Sequence, residues 1–310
     1  MISRSDLLAV LAACVLSTSV AQAQYSSKKN LTNALRVFEN TTTLFVETGE
    51  DDYDTELRRG AEAHWTITPW RVIPADSFRT LLGDERYTFV FHTKLKPENP
   101  NKDFKLSALV LAPGGLHDIV LSESTPYVYV PVDDVYYERT PADFAFRLED
   151  MVSMLHDGVS TALALQINEN HRYDNHDLLE DSVNTRAGAL AGRTLVINNR
   201  YRLHKMPYSS AFEETLGESV EFVNQDELHE RIRADEDIVY MISPSNCKRF
   251  IQVVEAATGR LLYTHVLEDT YLRDYTENIV ETDILALKRA IARHDDEDGG
   301  GKRRRKKNGR

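Results

Sequence analysis

Five carboxylates crowd one short stretch of the chain: Glu47, Glu50, Asp51, Asp52 and Asp54. Grouped oxygen ligands can hold a hard cation such as Mg²⁺ or Ca²⁺, and a held cation can polarise a carbonyl or activate water. The metal-ligand candidates are therefore Glu50, Asp51, Asp52 and Asp54, just past a strand-like run and before a helical one. The competing reading is a solvated loop whose last carboxylate, Asp54, caps the helix that follows. His171 and His176, with Asp174 and Asp177, form a second cluster of metal-ligating types. A His separation of five matches no zinc motif, and a polar connection accounts for it. Asp133, Asp134 and Glu138 fit a strand end leading into a turn.

Aromatic side chains gather around the same region, with Tyr53, His64, Trp65 and Trp70 close together. Such faces can stack on a sugar or a peptide, or pack a helix against a sheet, and packing is the default. The alternating run Tyr127-Val128-Tyr129-Val130-Pro131 reads as an edge strand with one buried face, a place where a partner strand can add. No phosphate-cradling glycine loop and no G-x-S-x-G elbow occurs, so no motif names a reaction and no cofactor is implied.

The elements that position these residues repeat. Thr43 to Val46 is a β-branched and aromatic run, followed by a helical segment through Leu57 and Ala61, an extended Arg71 to Ile73, a short helix from Asp76 to Leu82, and a strand from Tyr87 to Phe91. The same order returns with Thr194 to Ile197, a helical segment, Val220 to Val223, Asp226 to Arg233 and Ile238 to Ile242. Leu44, Val72, Phe78, Leu82 and Phe89 answer Leu195, Phe222, Leu228, Ile232 and Tyr240. The expected fold is α/β, two related β-α-β-α-β units from an internal duplication, each extended by antiparallel strands and a closing helix. Leu106 to Leu111, Tyr127 to Val132 and a third run at Ile119 to Leu121 are the strand candidates of the first extension. Pro141 to Ile167 is its closing helix; Asn278 to Arg293 closes the second unit.

The organisation follows: 1–23 signal peptide, 24–42 lead-in, 43–167 first unit, 168–192 polar linker, 193–293 second unit and 294–310 a disordered acidic, then basic, tail. Arg4, the apolar run Leu7 to Val20 and the small-x-small Ala21-Gln22-Ala23 make residues 1–23 a secretory signal, with a mature chain from Gln24. Leu11-Ala12-Ala13-Cys14 also resembles a lipobox, which offers lipoprotein anchoring through Cys14 as the less favoured route; the apolar run is too short for a spanning helix. After cleavage Cys247 is the sole thiol, so no intrachain disulfide forms. The 310 residues are 42% hydrophobic and carry a net charge of −12, with a pI near 5.3. An acidic body of this kind excludes non-specific attraction to nucleic acid or anionic lipid. The tail is the exception: Lys302, Arg303, Arg304, Arg305, Lys306 and Lys307 can meet an anionic surface.

Ile251-Gln252-Val253-Val254-Glu255-Ala256-Ala257-Thr258-Gly259-Arg260-Leu261-Leu262 is a strand, a T-G turn and a strand. It resembles the α/β modules of bacterial envelope proteins such as the amino-terminal module of TolB and the curli-pore lipoproteins. The resemblance covers part of each half, transfers no site residue, and implies an interaction role in the periplasm or at the cell surface. The resulting expectation is an exported, non-enzymatic binding or scaffold protein with a protein or envelope partner. The alternative is a metal-assisted hydrolase using the acidic loop after the first strand. A site, if present, is expected where the two copies differ or meet.

Overall fold

The computed structural model describes residues 37–96, 106–122, 126–132, 140–164, 175–201, 220–234, 236–243, 248–268, 279 and 282–292. The signal-like segment, Cys14, Asp133, Asp134, Glu138, His171, Asp174, residues 202–219 where a helix is expected, Cys247 and the basic tail lie outside them.

Strands β1 (Thr42–Val46), β2 (Trp70–Ile73), β3 (Tyr87–Leu95), β4 (Leu106–Pro113) and β5 (Val128–Pro131) form one sheet, in the order β2-β1-β3-β4-β5. Strands β6 (Leu195–Asn198), β7 (Val220–Val223), β8 (Val239–Ile242), β9 (Lys248–Glu255) and β10 (Arg260–Glu268) form a second, in the order β10-β9-β8-β6-β7. Read from the other end, the two orders are the same. The polarities match as well: β1 and β6 each lie parallel to both neighbours, and the two strands that follow are antiparallel. The protein is an α/β fold of two similar units, each with its own sheet.

Helices α1 (Asp51–His64) and α2 (Ala75–Leu81) cross between the parallel strands of the first unit, and α5 (Gln225–Arg233) links β7 to β8 in the second. Parallel strands need such crossovers, and helices on both faces explain why Leu44 and Phe45, adjacent in β1, are both fully buried. Helix α3 (Leu148–Ala164) closes the first unit and α6 (282–292) the second. No helix among the described residues is long and apolar enough to cross a membrane.

Strand register corrects one correspondence. Leu44 stands opposite Phe89, whereas Val196 stands opposite Tyr240. With Phe89 answering Tyr240, Leu44 answers Val196 and not Leu195. The shift matters because a one-residue slip moves a side chain to the other face of the sheet. Leu44 and Phe89 pack with Phe78 of α2 and Leu82 at its C-cap on one face of the first sheet. Val196 and Tyr240 correspondingly pack with Leu228 and Ile232 of α5. The opposite faces carry the closing helices: α3 with Phe45, Val90 and Leu109, and α6 with Ile197, Met241 and Ile251.

One core joins the units. Residues of α1, α3 and the first sheet share a cluster with Val196, Tyr240, Ile242 and Val254 of the second sheet and with α5. The closing-helix face of the first unit thus meets the crossover-helix face of the second, so the arrangement is head-to-tail. Gly60 lets α1 approach α3 closely, since a Cβ there would lie 3.0 Å from the Glu149 Cα.

Several boundaries differ from expectation. The expected helix from Pro141 resolves into a 3-10 segment (Pro141–Arg147) and then α3, ending at Ala164. Thr140 and Asp143 form a capping box, with the Thr140 amide donating to Asp143 Oδ2 at 2.7 Å. The 3-10 winding places Phe144 and Phe146 in different directions, and each serves a different unit, as shown below. Ile119 to Leu121 forms no strand; its neighbourhood contributes one isolated bridge, Lys96 to Ser122. Strand β5 is at the end of its sheet, but all four of its residues are buried, so it has no exposed face. The polar stretch 168–192 carries α4 (Asn175–Asn184) and a 3-10 turn (Ala187–Leu190) with Ala187 and Leu190 buried. Helix α4 covers the β10 edge, where the Asn184 side chain accepts from the Thr264 amide at 2.9 Å and donates to its carbonyl at 3.0 Å.

Candidate functional site

Two of the five carboxylates in the acidic stretch, Glu47 and Asp54, are bonded within the chain. Asp54 lies within α1, and Glu50 takes the N-cap position without a side-chain bond. The Asp54 carboxylate accepts from the Thr48 amide at 2.8 Å and the Gly49 amide at 3.1 Å, closing the turn between β1 and α1. Glu47 pairs with Arg58. Glu50, Asp51 and Asp52 are exposed, and Asp51 and Asp52 lie in the first helical turn, where negative charge complements the helix dipole. Among the described residues no three His, Cys, Asp or Glu side chains are grouped to hold a metal ion. The second unit builds its corresponding turn with an amide: Asn198 accepts from the Arg200 amide at 3.0 Å, and its side-chain nitrogen lies 3.3 Å from Gln225 Oε1. His176 and Asp177 fall in α4.

The aromatic group is core. Tyr53 and Trp65 are buried; Trp65 meets Phe38 and Phe45 edge-on, and its indole nitrogen donates to Thr68 Oγ1 at 3.0 Å. Trp70 also meets Phe45 edge-on. His64 joins a rim network in which Arg59 bridges Glu56 at 3.0 Å and Glu149 at 2.5 Å, with His64 Nε2 3.3 Å from Glu149. Burial raises the Glu56 pKa, and the Arg59 charge opposes that shift.

Two further constellations carry more chemistry. In the first unit, His92 Nε2 and Ser107 Oγ are 2.7 Å apart, the spacing of a base and a hydroxyl. Burial pushes the His92 pKa down to about 4, helped by the Lys94 charge, so the ring is neutral at pH 7. The charge acting on this imidazole is that of a cation, Lys94, and not of a carboxylate as in a triad. Phe144 packs against the His92 ring at 4.8 Å and against Tyr53 at 5.8 Å. The arrangement is a half-buried polar pair with Phe144 packed against its imidazole.

The second constellation lies where the units meet. The Tyr240 hydroxyl, on β8, donates to Asp150 Oδ2 on α3, and the Arg147 guanidinium sits 5.9 Å over the Tyr240 ring. All three side chains are buried. Burial, and then the Asp150 carboxylate, hold the Tyr240 hydroxyl well above the ordinary tyrosine range. Ser153 donates to the Thr258 carbonyl at 3.0 Å, tying α3 to the β9–β10 turn. Gly259 in that turn has φ +62°, and a Cβ there would lie 2.7 Å from the Asp150 Cα. Asp157 pairs with Arg186, which also donates to the Leu261 carbonyl at 3.3 Å. Phe146 stacks on His229 of α5 at 3.3 Å, and the Gln225 amide nitrogen lies 2.8 Å from His229 Nε2, making that ring nitrogen an acceptor.

The sequence reading missed these residues because their partners are distant in the chain; Asp150 and Tyr240 are 90 positions apart. One signal was available: a tyrosine hydroxyl at Tyr240, where the first copy has Phe89, needs a buried partner. No family model, curated protein or solved structure matches the chain.

Proposed function

We propose that the chain is an exported, non-catalytic binding or scaffold protein of a bacterial envelope. The observation that carries this reading is the use made of the buried polar groups at the junction. Arg147, Asp150, Tyr240 and Ser153, all buried, make contacts across it, holding two units as one body, and none of the four is presented to a substrate. The residues that remain for partners are on the surface and in the basic run Lys302 to Lys307. The signal-like residues 1–23 and the resemblance of the Ile251–Leu262 hairpin to envelope modules support the location.

Two measurements test it. Intact mass of the chain recovered from the periplasm should correspond to a start at Gln24; retention of residues 1–23 in the cytoplasm would refute export. Co-sedimentation with phosphatidylglycerol vesicles, for residues 24–310 and 24–298, should show salt-sensitive binding that needs the basic run. Calorimetry with Mg²⁺ and Ca²⁺ addresses metal-assisted hydrolysis: binding abolished by Asp51→Ala with Asp52→Ala would replace the scaffold reading with that one.

A further inference from the structure

The two sheets diverge at one cross-strand pair on the faces that carry α2 and α5. Val110 of β4 stands opposite Tyr129 of β5, and both are fully buried. With Phe89 opposite Ala112 and Tyr240 opposite Val254, the corresponding pair in the second sheet is Gln252 of β9 opposite Thr264 of β10. An apolar residue and a ring have become two neutral polar side chains. Burial has not changed: Gln252 is 0% exposed and Thr264 4%.

Neither side chain is satisfied. The Nε2 and Oε1 of Gln252 and the Oγ1 of Thr264 have no hydrogen-bond partner among the described residues. A buried amide that loses its water without gaining a partner is strongly disfavoured, and a native core seldom tolerates one. The flanking positions on the same face offer no relief, being Phe250 and Val254 along β9 and Val266 along β10. Thr264 cannot drift away either, because Asn184 grips both its amide and its carbonyl. Where the first sheet has a tyrosine ring, the second has a side chain of only three heavy atoms, and where the first has a valine the second has an amide.

We propose that Gln252 and Thr264 form a buried site for a small neutral hydroxyl guest on the face of the second sheet turned toward the first unit. The atoms present define that chemistry. Gln252 supplies two donors and a carbonyl acceptor, Thr264 a hydroxyl that does either, and neither carries charge. A hydroxyl answers both kinds of group at once. Its source is either solvent water or a small alcohol or polyol.

The test compares the full chain with Gln252→Met and Thr264→Val, which keep approximate size and remove the polar atoms. Magnetic relaxation dispersion of ¹⁷O water counts long-resident waters, and mass spectrometry of the denatured, filtered protein detects a released organic hydroxyl compound. A water guest appears as loss, in the variants, of at least one resident water's amplitude. An organic guest appears as a compound released stoichiometrically from the wild type and absent from the variants. Unchanged dispersion with no released compound overturns the proposal, and corresponds to Gln252 bonding directly to Thr264. If the Gln252→Met variant does not fold, as judged by near-UV circular dichroism, Thr264→Val against Thr264→Ser gives the same decision. The serine variant retains the guest and the valine variant weakens or loses it; equal behaviour of the two overturns the site.

Discussion

Helices α3 and α6 occupy the same place in their respective units and have opposite surroundings. Each lies on the face of its sheet opposite α2 or α5, and each has a buried aspartate near its start, Asp150 at 5% exposure and Asp283 at 2%. Helix α3 is wrapped, with Met151, Val152, Met154, Leu155 and Val159 all inside and even Ser153 and Thr161 buried. Helix α6 buries Ile284, Leu287 and Ala290 and leaves Leu285, Lys288 and Arg289 exposed. The first helix is the keel between two sheets and the second is a cover. A polar outer face on α6 also ends the head-to-tail series, because it offers no second apolar surface for another unit.

The largest expected break in that comparison is a charge placed in each helix. Met151→Asp should destabilise by more than about 4 kcal/mol, an unpaired charge in a core, and leave little folded protein. Leu285→Asp should cost about 0.5 kcal/mol or less, on a surface already polar. Urea denaturation of both measures the contrast; similar costs would show that α3 is not the joining element.

Next is the seam between α3 and the β9–β10 turn. Gly259→Ala should cost about 3 kcal/mol, because left-handed strain adds to a clash with the Asp150 backbone. Gly192→Ala, at φ +77° with open space around it, isolates the strain alone at about 1 kcal/mol. Equal losses would mean that the close approach to α3 is not real.

Acid separates the units by a different route. His92 in the first unit corresponds to Ser243 in the second, so the half-buried imidazole is not repeated. Its folded pKa, about 4, lies below the unfolded value, so the stability it contributes is present above pH 6.5 and is lost as pH falls through 4. The loss amounts to about 3 kcal/mol at most. Hydrogen exchange should find β3 and β4 weakening first, and His92→Gln should flatten the dependence.

Tyr240→Phe should have a smaller effect, about 2 kcal/mol, because Asp150 loses a donor while Arg147 stays beside it. Tyr240 also sets an alkaline limit: its raised pKa gives stability present below the unfolded tyrosine value near 10 and lost as pH rises beyond it. The variant should unfold at higher pH than wild type relative to its own neutral-pH stability, as followed by tyrosinate absorbance.

The element order was legible because each piece is encoded locally. The β-branched and aromatic run Thr43 to Val46, the helical spacing of Phe144 to Val159 and the Thr258-Gly259 turn can all be read without knowing what they touch. Boundaries were less so: β3 continues to Leu95 because β4 pairs along its whole length, which its own residues do not announce. The acidic loop drew attention by composition, yet Asp54 spends both oxygens on Thr48 and Gly49 amides. The polar residues that are most deeply placed sit singly among apolar neighbours, as Gln252 does between Ile251 and Val253. Composition gives such a residue no emphasis.

From the sequence alone came the duplication, the α/β class and the prospect that the copies would matter most where they differ or meet. Those follow from periodicity, which the chain carries within a few residues of each position. Which face of each sheet turns inward was decided only in three dimensions. A shift of one residue, Val196 in place of Leu195, moves a side chain from one face to the other, and both alternatives are apolar in sequence. The packing of α3 between two sheets selects one of them, placing Asp150 against Tyr240 and turning the face that carries Gln252 and Thr264 inward.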